Sequence, residues 1–226
     1  MQLDQIVPWG RTRREYELML NLQPGDLSHG VLDCGGGPAS FVAELAAEGC
    51  RAVSVDPLYL HSGSEIRSRF EAAAESIIAQ VRASPERWLW RFHHDPDGLL
   101  TMRRLALNLF LADYDAARGE NRYVAGQLPS LPFASQSFGL AVCTHLLFLY
   151  SDTLSESFHV QAVRELCRVA REVRIFPLLT LGRSPSPHVA AVRSAVAAEG
   201  WMPEIVTVDY ELQRGSNQML RIFRAQ

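Results

Sequence analysis

The sequence predicts an α/β fold: a doubly wound, mostly parallel seven-stranded sheet that ends in an antiparallel hairpin and carries a helical insert between strands 2 and 3. Three observations lead there. Residues 30–41 read as a short buried strand, a glycine turn and the opening of a helix. Short apolar runs then alternate with segments whose apolar residues recur at spacings of three and four, the pattern of strands alternating with helices. The chain closes on two strand-like runs, 204–210 and 218–223, joined through Gly215, Ser216 and Asn217.

Taken in order, residues 9–20 form an expected helix with Tyr16, Met19 and Leu20 on one side, ended by Pro24 and Gly25. Val31 and Leu32 are β-formers and Asp33 ends the first strand. Gly35, Gly36 and Gly37 permit backbone conformations and close approaches that a Cβ would obstruct, so a ligand can lie directly against the main chain. Pro38 suits a first helical turn, and Phe41, Val42 and Leu45 space like a helix packed on a sheet. Residues 51–55 are the second strand, closed by Asp56.

Beyond it, Ile66, Phe70, Ala73, Ala74, Ile77, Ile78 and Val81 share one face of a long helix that Ser62 or Ser64 caps. A further helix is expected near residues 84–86. Another follows from about Asp97, with Leu99, Met102, Leu105, Ala106, Leu109 and Phe110 on its apolar side. Residues 62–120 thus hold more helix than a crossover needs, and an insert after the carboxyl end of a strand overhangs the ligand crevice. They read as a substrate lid. Its aromatic cluster of Trp88, Trp90, Phe92, His93 and His94 reads either as a pocket wall or as packing of the insert onto the domain. Adjacent His93 and His94 do not face one another on a helix, and no metal site is expected.

Residues 121–125 and 140–144 make strands three and four. Asp152 or Thr153 caps a helix with Leu154, Phe158, Leu166 and Val169 toward the sheet, and 173–177 is the fifth strand. Residues 184–187 are a loop before a helix with Val189, Val192 and Val196 inward. No repeat is visible, so 1–226 reads as one domain with one insert.

A hydrophobic content of 47% with 21% charged residues is ordinary for a globular protein. There is no apolar run long enough to span a bilayer, and the first eight residues have neither the basic start nor the apolar block of a secretion signal. Four cysteines without metal-ligand spacing suit a reducing cytoplasm, and a net charge of −3 offers no field for nucleic acid. The expected partner is a small molecule, with neither nucleic acid nor membrane involved, and the expected state a monomer or homodimer.

Charge narrows the ligand. In a dinucleotide fold the glycines and a helix N-terminus meet a pyrophosphate, which a nearby carboxylate opposes. Asp33 stands two residues before Gly35, where an acid suits an ammonium or sulfonium better than phosphates. Asp56, at the end of the second strand, can accept both hydroxyls of a ribose. The two acids predict an adenosine ligand without a phosphate chain.

These stretches resemble the motifs of class I S-adenosylmethionine-dependent methyltransferases. Asp33, Gly35 and Gly37 match the first motif, with Ala39 in place of its third glycine, and Asp56 matches the second. Residues 126–133 and 137–145 resemble the third-strand loop and fourth strand. The family usually has Asp where Gln127 and Gly139 stand, although a Gln carbonyl still accepts from the adenine amino group. The resemblance implies S-adenosylmethionine as cofactor, held by Asp33, Gly35, Gly36, Gly37, Asp56 and Pro57, by Gln127, Leu128 and Thr144, and by Arg11 at the carboxylate. It implies in-line methyl transfer to a small-molecule acceptor. The alternative is a catalytically silent, cofactor-binding regulatory or interaction protein, and a nicotinamide dehydrogenase ranks behind both.

Such a displacement needs alignment first, and a general base only where the acceptor is protonated. His145, directly after the fourth strand, is the first base candidate, with Tyr150 and Tyr16 next. His145 reads equally well as a histidine bonded to backbone at the strand end or touching the cofactor.

Overall fold

The computed structural model describes residues 7–117 and 120–225; the reading of the first residues as lacking a secretion signal falls mostly outside them. Among the described residues the strands are β1 (Val31–Cys34), β2 (Ala52–Val55), β3 (Tyr123–Val124), β4 (Phe138–Thr144), β5 (Ala170–Phe176), β6 (Met202–Thr207) and β7 (Gln218–Phe223). They form one sheet in the order β3-β2-β1-β4-β5-β7-β6. β1 to β5 pair in parallel, while β7 runs antiparallel to both β5 and β6. This is the doubly wound, mostly parallel arrangement expected, with the antiparallel hairpin at one edge.

The helices are α1 (Arg13–Leu20), α2 (Phe41–Ala47), α3 (Gly63–Arg82), α4 (Pro96–Ala116), α5 (Glu156–Val169) and α6 (Val189–Ala198). Strand alternation sends Val31, Leu140 and Val142 to the face covered by α1 and α2, where Tyr16, Met19, Phe41 and Leu45 are buried. It sends Leu32, Cys34, Ala141 and Cys143 to the opposite face, against Ala162, Val163 and Leu166 of α5 and Val192 and Val196 of α6. The central strands are covered on both faces, which is why they read as continuous apolar runs rather than alternating ones.

Several elements differ from expectation. Ser40 rather than Pro38 precedes α2, and Asn21, in a left-handed conformation at φ 48°, ends α1 before Pro24 and Gly25 are reached. Ser155 caps α5 by accepting from Phe158 N, so neither Asp152 nor Thr153 does. The helix expected at 84–86 is a single 3-10 turn, Pro85–Arg87.

Two long helices, α3 and α4, fill the stretch between β2 and β3 where the helical insert is expected. α4 occupies the ordinary crossover place between β2 and β3: it packs on α2, and Tyr123 of β3 donates to Asp113 at 2.7 Å. α3 and the segment up to Asp95 are the surplus. α3 begins with Ser62 accepting from Glu65 N, as one of the two expected caps, and buries Ile66, Phe70, Ala74, Ile77, Ile78 and Val81. On α4 the apolar stripe is rotated from expectation: Leu105 and Leu109 are exposed, and Arg103, Leu107 and Tyr114 are buried instead.

The last connection also departs from a tight turn. Residues 208–217 leave the sheet edge and pair with the insert: Leu89 N donates to Leu212 O at 2.8 Å and Arg214 N to Arg87 O at 2.9 Å. The surplus segment is thereby tied to the hairpin on the side where β1 and β4 end. Among the described residues no helix is long and apolar enough to cross a membrane.

Candidate functional site

The order of strands reverses between β1 and β4, and a crevice of about 670 Å³ opens beyond their carboxyl ends, the place where open α/β sheets bind ligands. Its floor is the glycine turn. Gly35 and Gly37 have φ of 71° and 54°, the left-handed region that glycine adopts without strain. Gly36 is required by space, since a Cβ there would meet the side chains of Asp33 and Ser54 directly.

Asp56 stands at the end of β2 on the rim of this floor. Its Oδ2 accepts from Gly37 N at 3.0 Å and its Oδ1 from Leu58 N at 2.8 Å, so the acid pins the turn while further lone pairs remain. Burial raises its pKa, against those two hydrogen bonds. Tyr59 supports the same turn from beneath, its hydroxyl donating to Gly37 O at 2.8 Å and lying 2.7 Å from Ser54 Oγ. Pro57, Gln127, Leu128 and Thr144 line the crevice with them, as do Arg69, Ala72 and Ala73 from α3.

Asp33 is placed otherwise than expected. It shares the strand face of Val31, so its carboxylate turns under the glycines toward α1, is 1% exposed and does not line the crevice. Tyr16 Oη donates to it at 3.2 and 3.3 Å. Burial raises the acid to about 7 despite the Tyr16 bond, and the charge of Asp56 adds to the rise. Asp33 thus braces the glycine turn from the α1 side. Tyr16 itself lines the crevice, and burial together with Asp33 holds its phenol well above the ordinary range, in the protonated form that donates to Asp33.

Arg11 lies ahead of α1 at the junction of two spaces. Its backbone carbonyl accepts from Ser40 N at 3.1 Å, which fixes it beside the glycine turn, and its Nη1 donates to Trp9 O at 2.8 Å. Its Nε is buried without a partner, and burial together with the charge of Arg103 lowers its pKa to about 10. It lines both the crevice and a second cavity of about 100 Å³.

His145 is also shared by the two spaces. It follows β4 in a left-handed conformation, φ 56°, held by its N–H donating to Phe176 O at 2.7 Å. Its Nδ1 is buried without a partner. Burial and the charges of Arg11 and Arg103 keep the imidazole well below its usual range, hence neutral. Tyr150 lines the second cavity but not the crevice, and burial raises its pKa, which favours the protonated phenol.

Behind the second cavity lies a buried polar network that the sequence reading did not single out. Glu15 of α1 receives Arg103 of α4 through both oxygens, at 2.7 and 2.8 Å, and also Tyr210 Oη at 2.9 Å. His93 Nε2 lies 3.2 Å from the same carboxylate. Burial pushes the Glu15 carboxyl up, but Arg103 and His93 outweigh it and leave the group well below the carboxylate range. The signals were present in the sequence: Thr12 and Glu15 have capping-box spacing, and Arg103 interrupts the apolar stripe of α4. Of the aromatic cluster, Trp88 lines the second cavity while Phe92 packs beside Tyr210, so both readings of that cluster apply, to different members. No group of three or more His, Cys, Asp or Glu side chains that could hold a metal occurs among the described residues.

Gly139, where the resembled family usually has Asp, lies at the far end of β4. A Cβ there would lie 2.7 Å from His29 Cβ, and its N–H donates to His29 O at 2.9 Å. Local packing accounts for this departure, away from the crevice.

No protein-family model matches the chain. An uncharacterized protein of Methanocaldococcus jannaschii is 29% identical over 225 residues, 99% of each chain. The solved structure of the mitomycin 7-O-methyltransferase MmcR aligns with a TM-score of 0.51 at 12% identity, over 94% of this chain and 54% of its own. The magnesium protoporphyrin IX methyltransferase ChlM of Synechocystis PCC 6803, crystallised with bound S-adenosylmethionine, aligns with a TM-score of 0.49 at 12% identity, over 94% and 80%. The strand order and the match to MmcR together give the chain the fold of the class I S-adenosylmethionine-dependent methyltransferases.

Proposed function

We propose that the protein is an S-adenosylmethionine-dependent methyltransferase acting on a small molecule held in the second cavity. One observation carries the reading: the glycine turn, Asp56 and the Gln127-Leu128 loop line a single crevice that adjoins, past Arg11 and His145, a separate apolar cavity. A donor site and an acceptor site in contact are what group transfer requires.

The residues present fit the cofactor. Asp56 retains lone pairs for ribose hydroxyls, Gln127 offers a carbonyl to the adenine amino group, and the unpartnered Arg11 Nε suits the carboxylate of the methionine end. When bound, the cofactor supplies a methyl group on a sulfonium, which leaves as a neutral thioether after in-line displacement. The work of the chain is then to align two partners and exclude water, a contribution worth up to about 7–11 kcal/mol. For a hydroxyl acceptor, the neutral His145 ring takes the proton; its depressed pKa keeps the lone pair free across the neutral range. Thr144 and the glycine turn line the crevice, and Trp9, Arg11 and His145 are shared between the two spaces.

Calorimetry with S-adenosylmethionine tests this reading. Wild type binds it, and Asp56→Ala, which loses hydrogen bonds to a charged acceptor, binds about ten- to a hundredfold more weakly. Equal affinity in both proteins, no binding to either, or tighter binding of NAD overturns the proposal.

A further inference from the structure

The walls of the second cavity carry an unusual charge balance for a protein of net charge −3. Arg11, Arg103 and Arg183 line it, with Arg87, whose partner is the adjacent Glu86 at 3.3 Å. Among the described residues no carboxylate lines it. Arg103 is neutralised by Glu15 through its two terminal nitrogens, yet its Nε is buried and unpartnered, like that of Arg11. Arg183, an exposed residue of the lining, makes no ion pair among the described residues and lies in a loop in which it holds φ 72°. Apart from His145, Gln213 and Ser216, the remaining lining is mostly apolar and rich in rings, with Trp9, Trp88, Tyr150, Phe176 and Tyr210.

Buried guanidinium N–H groups without acceptors cost free energy, and an anion that reaches them recovers it with charge-assisted hydrogen bonds. Flat apolar walls favour a ring as the body that carries the anion. Arg11 lines the crevice as well, where a bound cofactor's carboxylate would compete for it, so Arg183 is the lining arginine most available to an acceptor's anion.

The geometry points to an aromatic carboxylic acid, of about single-ring size, as the class of acceptor that this cavity takes. The inference rests on the methyltransferase reading for the word acceptor, but the acid specificity of the cavity stands apart from it. Arg183 is the specificity-determining residue, an exposed guanidinium of the cavity lining that is free to pair with an entering carboxylate.

The test is binding in the absence of cofactor, with para-hydroxybenzoate and its uncharged counterpart para-hydroxybenzamide as probes, followed by calorimetry or ligand-observed NMR. Wild type binds the acid about tenfold or more tightly than the amide, as one charge-assisted contact implies. Arg183→Gln weakens the acid by about tenfold and leaves the amide unchanged. Equal binding of acid and amide, binding of neither, or an acid preference untouched in Arg183→Gln overturns the inference, and the first two need no variant. S-adenosylhomocysteine titrated into the same samples separates the two claims. Acid preference without cofactor binding sinks the methyltransferase reading alone; cofactor binding without acid preference sinks this inference alone.

Discussion

Asp33 stands where the sequence predicts an acid facing the ligand, yet its carboxylate is buried and bonded by Tyr16. Its position two residues before Gly35 was legible, but the direction of its side chain followed from strand alternation, which places it with Val31 under Tyr16. The consequence is measurable. The folded chain holds this proton up to about pH 7, whereas the unfolded chain releases it near the ordinary value of 3.8. Between those values the unfolded state binds fewer protons, so the contribution is fully present below the unfolded pKa and stability falls as pH rises toward 7, by up to roughly 4 kcal/mol. Asp33→Asn keeps an acceptor for the Tyr16 hydroxyl and does not titrate there. Ligand-free Asp33→Asn is therefore expected to gain stability on wild type between about pH 5 and about pH 8 in denaturant titrations. A constant difference across that range contradicts the burial argument.

Between elements, the Glu15–Arg103 pair fastens α1 to α4, and Tyr210 and His93 add the hairpin and the insert to the same point. Removing one partner strands a buried charge, so Arg103→Met is expected to lose about 3–5 kcal/mol of stability. Changing both partners, Glu15→Leu with Arg103→Met, is expected to recover most of it, because no charge is then left buried alone. Chemical denaturation of the three proteins checks this; equal losses in the single and double variants contradict it. The pair also marks where the helices were readable and where they were not. The stripe of α3 was regular and its capping serine adjacent, so both emerged from spacing. The buried stripe of α4 departs from the one its spacing predicts because Arg103, a charged residue, occupies a buried position while Leu105 and Leu109 face water. Only the partner on α1 explains that choice.

Across the molecule, the strand sequence and the final hairpin were legible because each strand is a short apolar run bounded by turn residues, and parallel strands buried on both faces leave that signature. Less legible was how the insert meets the rest. The pairing of residues 87–89 with 212–214 depends on a contact between distant parts of the chain, and nothing in either stretch specifies the other. That contact, with α3, walls the cavity beside the crevice, so this cavity is a product of tertiary assembly, whereas the glycine turn and Asp56 on the crevice floor come from short stretches of sequence. The adjacency of these two sites is the core of the functional proposal. A crystal structure of the protein with S-adenosylhomocysteine measures it directly. The expected density puts the ribose hydroxyls on Asp56, the adenine beside Gln127 and Leu128, and the sulfur facing His145 and the arginine-lined cavity. Density with the sulfur turned away from that cavity, or with the nucleoside bound outside the glycine turn, contradicts it.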